Sequence, residues 1–368
     1  MQYRNCKDVK TSLLGFGCMR FPTTAEGRID EPAATAMLDA AYAAGVNYYD
    51  TAWPYHDGQS ESFLGSWLKT KDRASLFVTT KLPCWEIQAP EDMEKVFSQQ
   101  LQKLGTDYVD FYLVHALEGE RWHKMKELGL LPFLDGLKAS GRARHIGFSF
   151  HDDYPAFEEI LKGYPWDICQ IQYNYMDRSI QAGDRGYLLA KELGVPMAIM
   201  EPVRGGSLAN PPEAVRQVLA RQGEGSGAAW ALRWVADHDN VAVILSGMST
   251  LEQVQENVET LSHAAPLTEA QRAAIDQAAE VYRQRIRVPC TGCRYCMPCP
   301  AGVNIPGVFR AYNNSSIYYD GKVKDEYRFL PEESRASVCV ACGRCMELCP
   351  QHLSIPARMA EIAQWEKA

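Results

Sequence analysis

The sequence predicts an α/β protein: a (β/α)8 barrel followed by a small cysteine-rich domain at the C-terminus. Three observations carry that reading. Over the first 285 or so residues, eight short β-branched and aromatic runs alternate with longer amphipathic stretches. The glycine-rich turn that opens a doubly wound dinucleotide-binding sheet is missing, because Gly15-Phe16-Gly17 leads into Cys18-Met19-Arg20 rather than into a glycine-started helix. Of the twelve cysteines, four (Cys6, Cys18, Cys84, Cys169) lie in the first 289 residues and eight in the last 79. An open doubly wound sheet is the alternative for the first part, and the pattern favours the barrel.

The strands are expected over residues 13–18, 46–51, 77–82, 108–115, 144–150, 168–174, 197–202 and 241–248. Helical patterns fill the gaps, among them 32–44, 91–104, 182–193 and 228–238. Gly45, Gly105 and Gly194 stand where a helix ends in a left-handed residue, and Thr250 followed by Gln253 fits a capping box that starts another. The helical and strand periods stop near Ile286. The expected domains are therefore a barrel over residues 1–285 and a second domain over residues 286–368.

Composition narrows the function. Charged residues make up 23% and the net charge is −8, which disfavours nucleic acid or an anionic membrane as partner. No apolar stretch reaches spanning or signal-peptide length, so a cytoplasmic protein is expected. In that reducing compartment, dense cysteines point to metal rather than to disulfides.

Four polar residues cluster at expected strand ends. Asp50 closes VNYYD, Lys81 closes FVTTK, His115 closes DFYLVH, and Tyr55 lies just past Asp50 in DTAWPYHDG. The C-terminal strand ends of such a barrel converge on one mouth, where these folds place their chemistry. Taken singly, each residue also fits a buried ion pair or a satisfied core histidine; together they suit protonation of a developing alkoxide. A lysine cation favours the phenolate of a neighbouring tyrosine, an aspartate holds the lysine, and a histidine orients a carbonyl oxygen. Such a site contains no activated nucleophile and needs a hydride donor.

At these residues the sequence resembles the aldo-keto reductases, with Asp50, Tyr55, Lys81 and His115 matching the family's catalytic tetrad and Glu61 completing its D-T-A-x-x-Y…E pattern. The resemblance runs from about Val9 to Tyr282 and implies a barrel that binds NADP or NAD in an extended pose. It further implies that Ser149 and Gln170 hold the nicotinamide carboxamide and that Gln253, Glu256 and Asn257 hold the adenosine end. Phe150 stands where many members have Asn, Met200 where an aromatic usually stacks on the nicotinamide, and no Lys or Arg occurs between Leu245 and His263. Arg204 is a candidate for the pyrophosphate, and a solvated loop arginine is the alternative. His56 is placed either to line the substrate pocket or at the surface.

The tail repeats itself. Cys290, Cys293 and Cys296 recur 49 residues on as Cys339, Cys342 and Cys345, while Cys299-Pro300 recurs 50 residues on as Cys349-Pro350. The second copy is the bacterial ferredoxin run, in which the fourth cysteine serves the other cluster. Duplication then assigns one [4Fe–4S] cluster to Cys290, Cys293, Cys296 and Cys349, and the other to Cys339, Cys342, Cys345 and Cys299. Two zinc sites are the alternative, since C-x2-C pairs also suit zinc. With both halves in place, the chain resembles the aldo-keto reductases that carry a C-terminal ferredoxin-like domain.

The leading function is an NAD(P)-dependent oxidoreductase that interconverts a carbonyl and an alcohol, with Tyr55 as proton donor and two [4Fe–4S] clusters for electron transfer. Hydride moves two electrons together and clusters move them singly, and no flavin site is recognisable, although a bound flavin is not excluded. The second reading is an electron-transfer subunit or redox sensor whose barrel does not turn over. A small carbonyl or alcohol substrate and an external electron carrier are the expected partners.

Overall fold

The chain opens on a hairpin, β1 (Tyr3–Cys6) and β2 (Val9–Ser12), paired antiparallel with Tyr3 opposite Ser12. Eight strands follow: β3 (Leu14–Gly17), β4 (Tyr48–Asp50), β5 (Phe77–Pro83), β6 (Val109–Leu117), β7 (Ala143–Phe150), β8 (Ile168–Gln172), β9 (Met197–Met200) and β10 (Val241–Ser246). They pair in parallel in chain order, and β10 returns to β3 to close the barrel. This computed structural model describes residues 1–290, 296–349 and 352–367. By its contacts the chain divides into two units, Met1–Asn210 with Glu224–Arg272, and Pro211–Gly223 with Ala273–Ala368.

All eight expected strands form, each within a few residues of its expected bounds, and the barrel rather than the open sheet is the fold. The strands read as continuous apolar runs because both faces are covered: β3, β4 and β10 are buried at every position. Tyr48, Phe111, Leu113, Ile168, Ala198 and Val243 form the barrel core together with Cys6 from the hairpin. Space is tight enough there to require glycine, since a Cβ added at Gly147 would lie 2.5 Å from the Ile168 side chain.

Helices connect the strands where the periodicity placed them, for example Glu31–Ala43, Pro90–Leu104, Gly183–Glu192 and Gly227–Ala236. The helix Pro90–Leu104 ends at Gly105 with φ 63°, a left-handed cap that frees it to turn into β6. Helix Ser60–Leu68 crosses it so closely that a Cβ on Gly65 would meet the Lys103 carbonyl oxygen at 2.3 Å. The hairpin was not expected from the sequence: four-residue strands carry too few alternations to stand out. It is pinned by His145, whose ring nitrogens face the Asp110 carbonyl at 2.9 Å and the Asp8 carboxylate at 2.6 Å.

In the second unit, the repeat seen in the cysteines extends to the helices. Ile305–Tyr318 and Ile355–Trp365 each begin with an Ile-Pro step, Asn304 and Ser354 standing at the two N-caps. They share a core of Val303, Val308, Phe309, Tyr312, Met359 and Ile362, against which Cys290, Cys296, Cys299, Cys339 and Cys345 pack partly buried. Among the described residues, no helix is long and apolar enough to cross a membrane.

Candidate active site

The strand register steps three of the four predicted tetrad residues along neighbouring strands toward one end of the barrel. Asp50 pairs with Thr79, and Lys81 lies two residues further along β5 on the same face. Pro83 pairs with His115. The Lys81 ammonium is almost wholly buried and spends all three protons: on the Asp50 carboxylate at 2.5 Å, the Thr51 carbonyl at 2.9 Å and the Tyr55 hydroxyl at 3.3 Å. The Tyr55 ring meets the His115 ring edge-on, with centroids 6.1 Å apart, and the Trp85 ring lies tilted against that of His115 at 5.1 Å.

Burial and charge set the protonation states. Burial works against the Lys81 ammonium, but the Asp50 charge, the Tyr55 oxygen and the hydrogen bonds to both together outweigh it and hold the lysine above its ordinary range. Burial likewise pushes the Tyr55 phenol up, with Lys81 pulling the other way. The phenol is therefore protonated at neutral pH, whereas the tetrad chemistry alone suggested a lowered value. Desolvation, followed by the charges of Lys81, His151 and Arg121, pushes His115 down to about 2, so its ring is neutral. Its Nδ1 is buried without a hydrogen-bond partner among the described residues.

Glu61 lies outside this cluster and braces it from behind. Its carboxylate is fully buried and accepts from Thr80 Oγ1 at 2.6 Å, Gln100 Nε2 at 2.7 Å and Lys103 Nζ at 3.2 Å. Gln100 also donates to the Lys81 carbonyl at 2.9 Å and accepts from the Tyr112 hydroxyl. Thr80, Gln100 and Lys103 were not singled out in the sequence; a polar Gln on the buried face of an amphipathic helix was the available signal.

Beside the tetrad, Ser149 and Gln170 are buried. Ser149 Oγ accepts the Ala116 amide at 2.8 Å, and Gln170 Oε1 is buried without a partner among the described residues, an acceptor fitted to an amide NH2 group. A cleft continues from β9 and β10, lined by the 201–210 loop, residues 245–249, Ser226, Ala228 and the predicted Gln253, Glu256 and Asn257. Thr250 caps the helix Leu251–Ser262 by accepting the Gln253 amide at 3.3 Å, while Gln253 Oε1 reaches back to the Ser249 amide rather than to that of Thr250. Among the described residues the cation lining this cleft is Arg20, which the sequence reading passed over because the loop after β3 is far away in the chain. Arg204 is engaged on the buried Asp177, Nε to Oδ2 at 3.1 Å.

The departures have physical readings. Phe150 is fully buried and packs edge-on against Phe157, 5.1 Å between centroids, so it belongs to the strand–helix layer. Met200 is half-buried at the end of β9. His56 accepts the Phe21 amide at 3.1 Å and stacks on the Phe21 ring, which fastens the loop after β3 to the loop that carries Tyr55.

In the second unit, Cys299 from the first cysteine run and Cys339, Cys342 and Cys345 from the second border one cavity, walled by Val303, Ile305, Val340, Ile355 and prolines 300 and 356. The thiols of Cys339, Cys299 and Cys342 are all close enough to influence that of Cys345, which burial pushes up. Four sulfurs around an apolar space suit a [4Fe–4S] cube, and they are the set that the duplication pairs across the two runs. Cys290 and Cys296 lie partly buried on the same core, and Cys349 is buried. Cys293 lies outside the described residues. Among the described residues, no group of three His, Cys, Asp or Glu is arranged to hold a single metal ion.

Comparison with known proteins gives two matches that divide the chain. Residues 13–280 match the sequence model of the Aldo/keto reductase family, and residues 289–354 that of a 4Fe-4S dicluster domain. The NADH-specific methylglyoxal reductase of Escherichia coli (strain K12) is 26% identical over 285 residues, covering 64% of this chain and 85% of that protein. L-galactose dehydrogenase of Arabidopsis thaliana is 28% identical over 292 residues, covering 73% and 88%. Among solved structures, the holo form of aldo-keto reductase AKR11C1 from Bacillus halodurans superimposes with a TM-score of 0.65 at 27% identity, over 76% of this chain and 96% of that one.

Proposed function

We propose, from the premise that this chain belongs to the Aldo/keto reductase family, that its barrel interconverts a small carbonyl compound and the corresponding alcohol at Tyr55, and that two [4Fe–4S] clusters in its C-terminal domain carry electrons. The chain is an oxidoreductase of the aldo-keto reductase type with a C-terminal 4Fe-4S dicluster domain. We place the barrel function in residues 1–285 and the cluster function in residues 286–368, with cluster ligands Cys290, Cys293, Cys296 and Cys349 for one and Cys299, Cys339, Cys342 and Cys345 for the other. The observation that carries the barrel assignment is the Lys81 ammonium, buried between Asp50 and the Tyr55 hydroxyl beside a neutral His115.

When bound, the nicotinamide dinucleotide supplies or accepts the hydride, and the clusters supply single-electron storage. The residues of the chain do the rest. A carbonyl oxygen between Tyr55 and His115 accepts a hydrogen bond from the neutral imidazole and the proton from Tyr55 Oη as it gains negative charge. Lys81 stabilises the phenolate left behind, and Asp50 keeps the lysine charged and in place. Gln170 Oε1 and Ser149 Oγ hold the carboxamide end, Arg20 meets the pyrophosphate, and Gln253, Glu256 and Asn257 meet the adenosine end. Arg204 serves the same loop through its pair with Asp177.

The test is turnover. The full chain, purified without oxygen, should oxidise NADH or NADPH when given a panel of small carbonyls. Methylglyoxal heads that panel, because the Escherichia coli relative is a methylglyoxal reductase by name. Absence of turnover with every carbonyl and every alcohol in the panel, in protein that retains its iron, would overturn the assignment.

A further inference from the structure

Where β6 reaches the barrel mouth it carries one residue more than its neighbour. Val114 stands opposite Phe148 and Leu117 opposite Phe150, so His115 and Ala116 together oppose the single residue Ser149. This is a β-bulge, and a bulge re-aims the side chain beside it. Ala116 takes φ 49°, the left-handed region that an alanine occupies only where its surroundings hold it there. Both of its backbone polar groups are held from outside the strand. Its amide donates to Ser149 Oγ at 2.8 Å, and its carbonyl accepts from Arg121 Nη1, also at 2.8 Å.

Arg121 is itself fixed. It lies in the first turn of the helix Gly119–Glu127, next to the buried Trp122. The Gly119 amide donates to the Asp152 carboxylate at 2.9 Å, which ties that helix to the loop after β7. The Arg121 guanidinium is engaged twice, by Nη1 on the Ala116 carbonyl and by Nε on the Glu118 carboxylate at 3.1 Å, which offsets its charge. It is therefore poorly suited to bind an anionic substrate and well suited to hold a backbone. His115 needs such a hold. Among the described residues its Nδ1 has no hydrogen-bond partner, and its ring rests on those of Tyr55 and Trp85, with centroids 6.1 and 5.1 Å away. Such contacts constrain a ring loosely, so the bulge decides where the imidazole points.

We infer that Arg121 is a positioning residue for the reaction: by holding the Ala116 carbonyl it maintains the bulge that aims the His115 imidazole at a carbonyl oxygen beside Tyr55. The inference rests on reading Asp50, Tyr55, Lys81 and His115 as the site of carbonyl reduction. Arg121 touches neither substrate nor dinucleotide in that reading and acts through His115 alone. Without it the Ala116 carbonyl loses its partner, and the strand can relax toward the extended backbone that an alanine prefers, which turns the imidazole away. A displacement of about 1 Å at such a group costs on the order of a hundredfold in rate.

The test pairs kinetics with a spectroscopic readout in the full chain, purified without oxygen. Arg121→Met should lower kcat about ten- to hundredfold for the carbonyl that the parent reduces best, while dinucleotide affinity stays within about twofold of the parent. Arg121→Lys, which retains a donor for the Ala116 carbonyl, should recover most of that loss. In a His115→Ala background, Arg121→Met should cost nothing further, because its effect passes through the imidazole. In protein carrying isotope-labelled histidine, the nuclear magnetic resonance signal of the His115 ring is assigned by its loss in His115→Ala. That signal should shift in Arg121→Met and return toward its place in Arg121→Lys. Unchanged kcat in Arg121→Met, or equal losses with and without His115, overturns the inference and leaves the site of carbonyl reduction standing. An unmoved His115 signal overturns it whether or not the protein turns over. Absence of turnover in the parent with every carbonyl and alcohol tried overturns the reading on which the inference rests, and the inference with it.

Discussion

Lys81 illustrates how much one buried charge decides. It is almost wholly buried, so its three partners fix its position, and the two of them proposed to act in catalysis, Asp50 and Tyr55, lie in β4 and in the loop just beyond it. We expect Tyr55→Phe to lower carbonyl reduction by a factor of about 10² to 10⁴ while changing dinucleotide affinity little, because the lost proton acts in the transition state. Steady-state kinetics beside a binding titration separate the two, and near-normal turnover in Tyr55→Phe would discard the proton-donor role. Lys81→Met should cost stability as well as activity, on the order of 3–5 kcal/mol, because Asp50 is left charged and uncompensated in the interior. Urea denaturation reads that cost, and adding Asp50→Leu should recover part of it. His115 gives a pH signature of defined sign. Its folded value near 2 lies below the unfolded value of about 6.5, so the unfolded chain binds the extra proton between them. This group's contribution is complete above about pH 6.5 and is lost as the pH falls toward 2. The fall in denaturation midpoint between pH 7 and 4.5 should be shallower in His115→Gln. Asp50, Lys81 and His115 were legible in the sequence because each closes an apolar run, and Tyr55 because it follows Asp50 by five residues. Gln100 and Arg20 were not, since their importance depends on neighbours that the chain brings in from elsewhere.

At the scale of elements, propensity and packing disagree at Gly65, and the structure says which wins. In an isolated helix, Gly→Ala gains about 1 kcal/mol. Here the new methyl would sit 2.3 Å from the Lys103 carbonyl oxygen, backbone that cannot swing aside. Gly65→Ala should therefore destabilise by about 1–3 kcal/mol despite the better helix former, and a raised denaturation midpoint would contradict the packing argument. The strands and their connecting helices were readable because alternation of short and long apolar periods is a local signal. The hairpin β1–β2 was not, because what holds it is tertiary: the ring of His145, with acceptors on both nitrogens, reaches Asp8 from β7.

For the whole molecule, the repeated tail sets an expectation about metal. Eight thiolates in two runs imply about eight irons and eight sulfides per chain. Elemental and sulfide analysis of anaerobically purified protein checks this, and stoichiometric zinc in its place would rule the clusters out. Cys299→Ala should remove a ligand from only one of the two sites. About half of the iron should become labile, and the electron paramagnetic resonance spectrum should keep the signal of the other cluster. Loss of all iron on that single change would mean that the two sites do not assemble independently.

The sequence alone determined the barrel, its eight strands, the four residues proposed as a tetrad and the doubled cysteine run, because each is written as a local pattern: an apolar period, a polar residue at or just past a strand end, a fixed cysteine spacing. Only the tertiary structure decided which side chains meet. It set Arg20, rather than Arg204, along the cleft, packed Glu61 behind Thr80 and Gln100, and gathered Cys299 with the three cysteines of the second run. The physical reason is common to all three. An ion pair, a buried hydrogen bond or a thiolate cage depends on distances of a few ångströms between residues tens of positions apart, and those distances exist only once the barrel has closed and the tail has packed its own core.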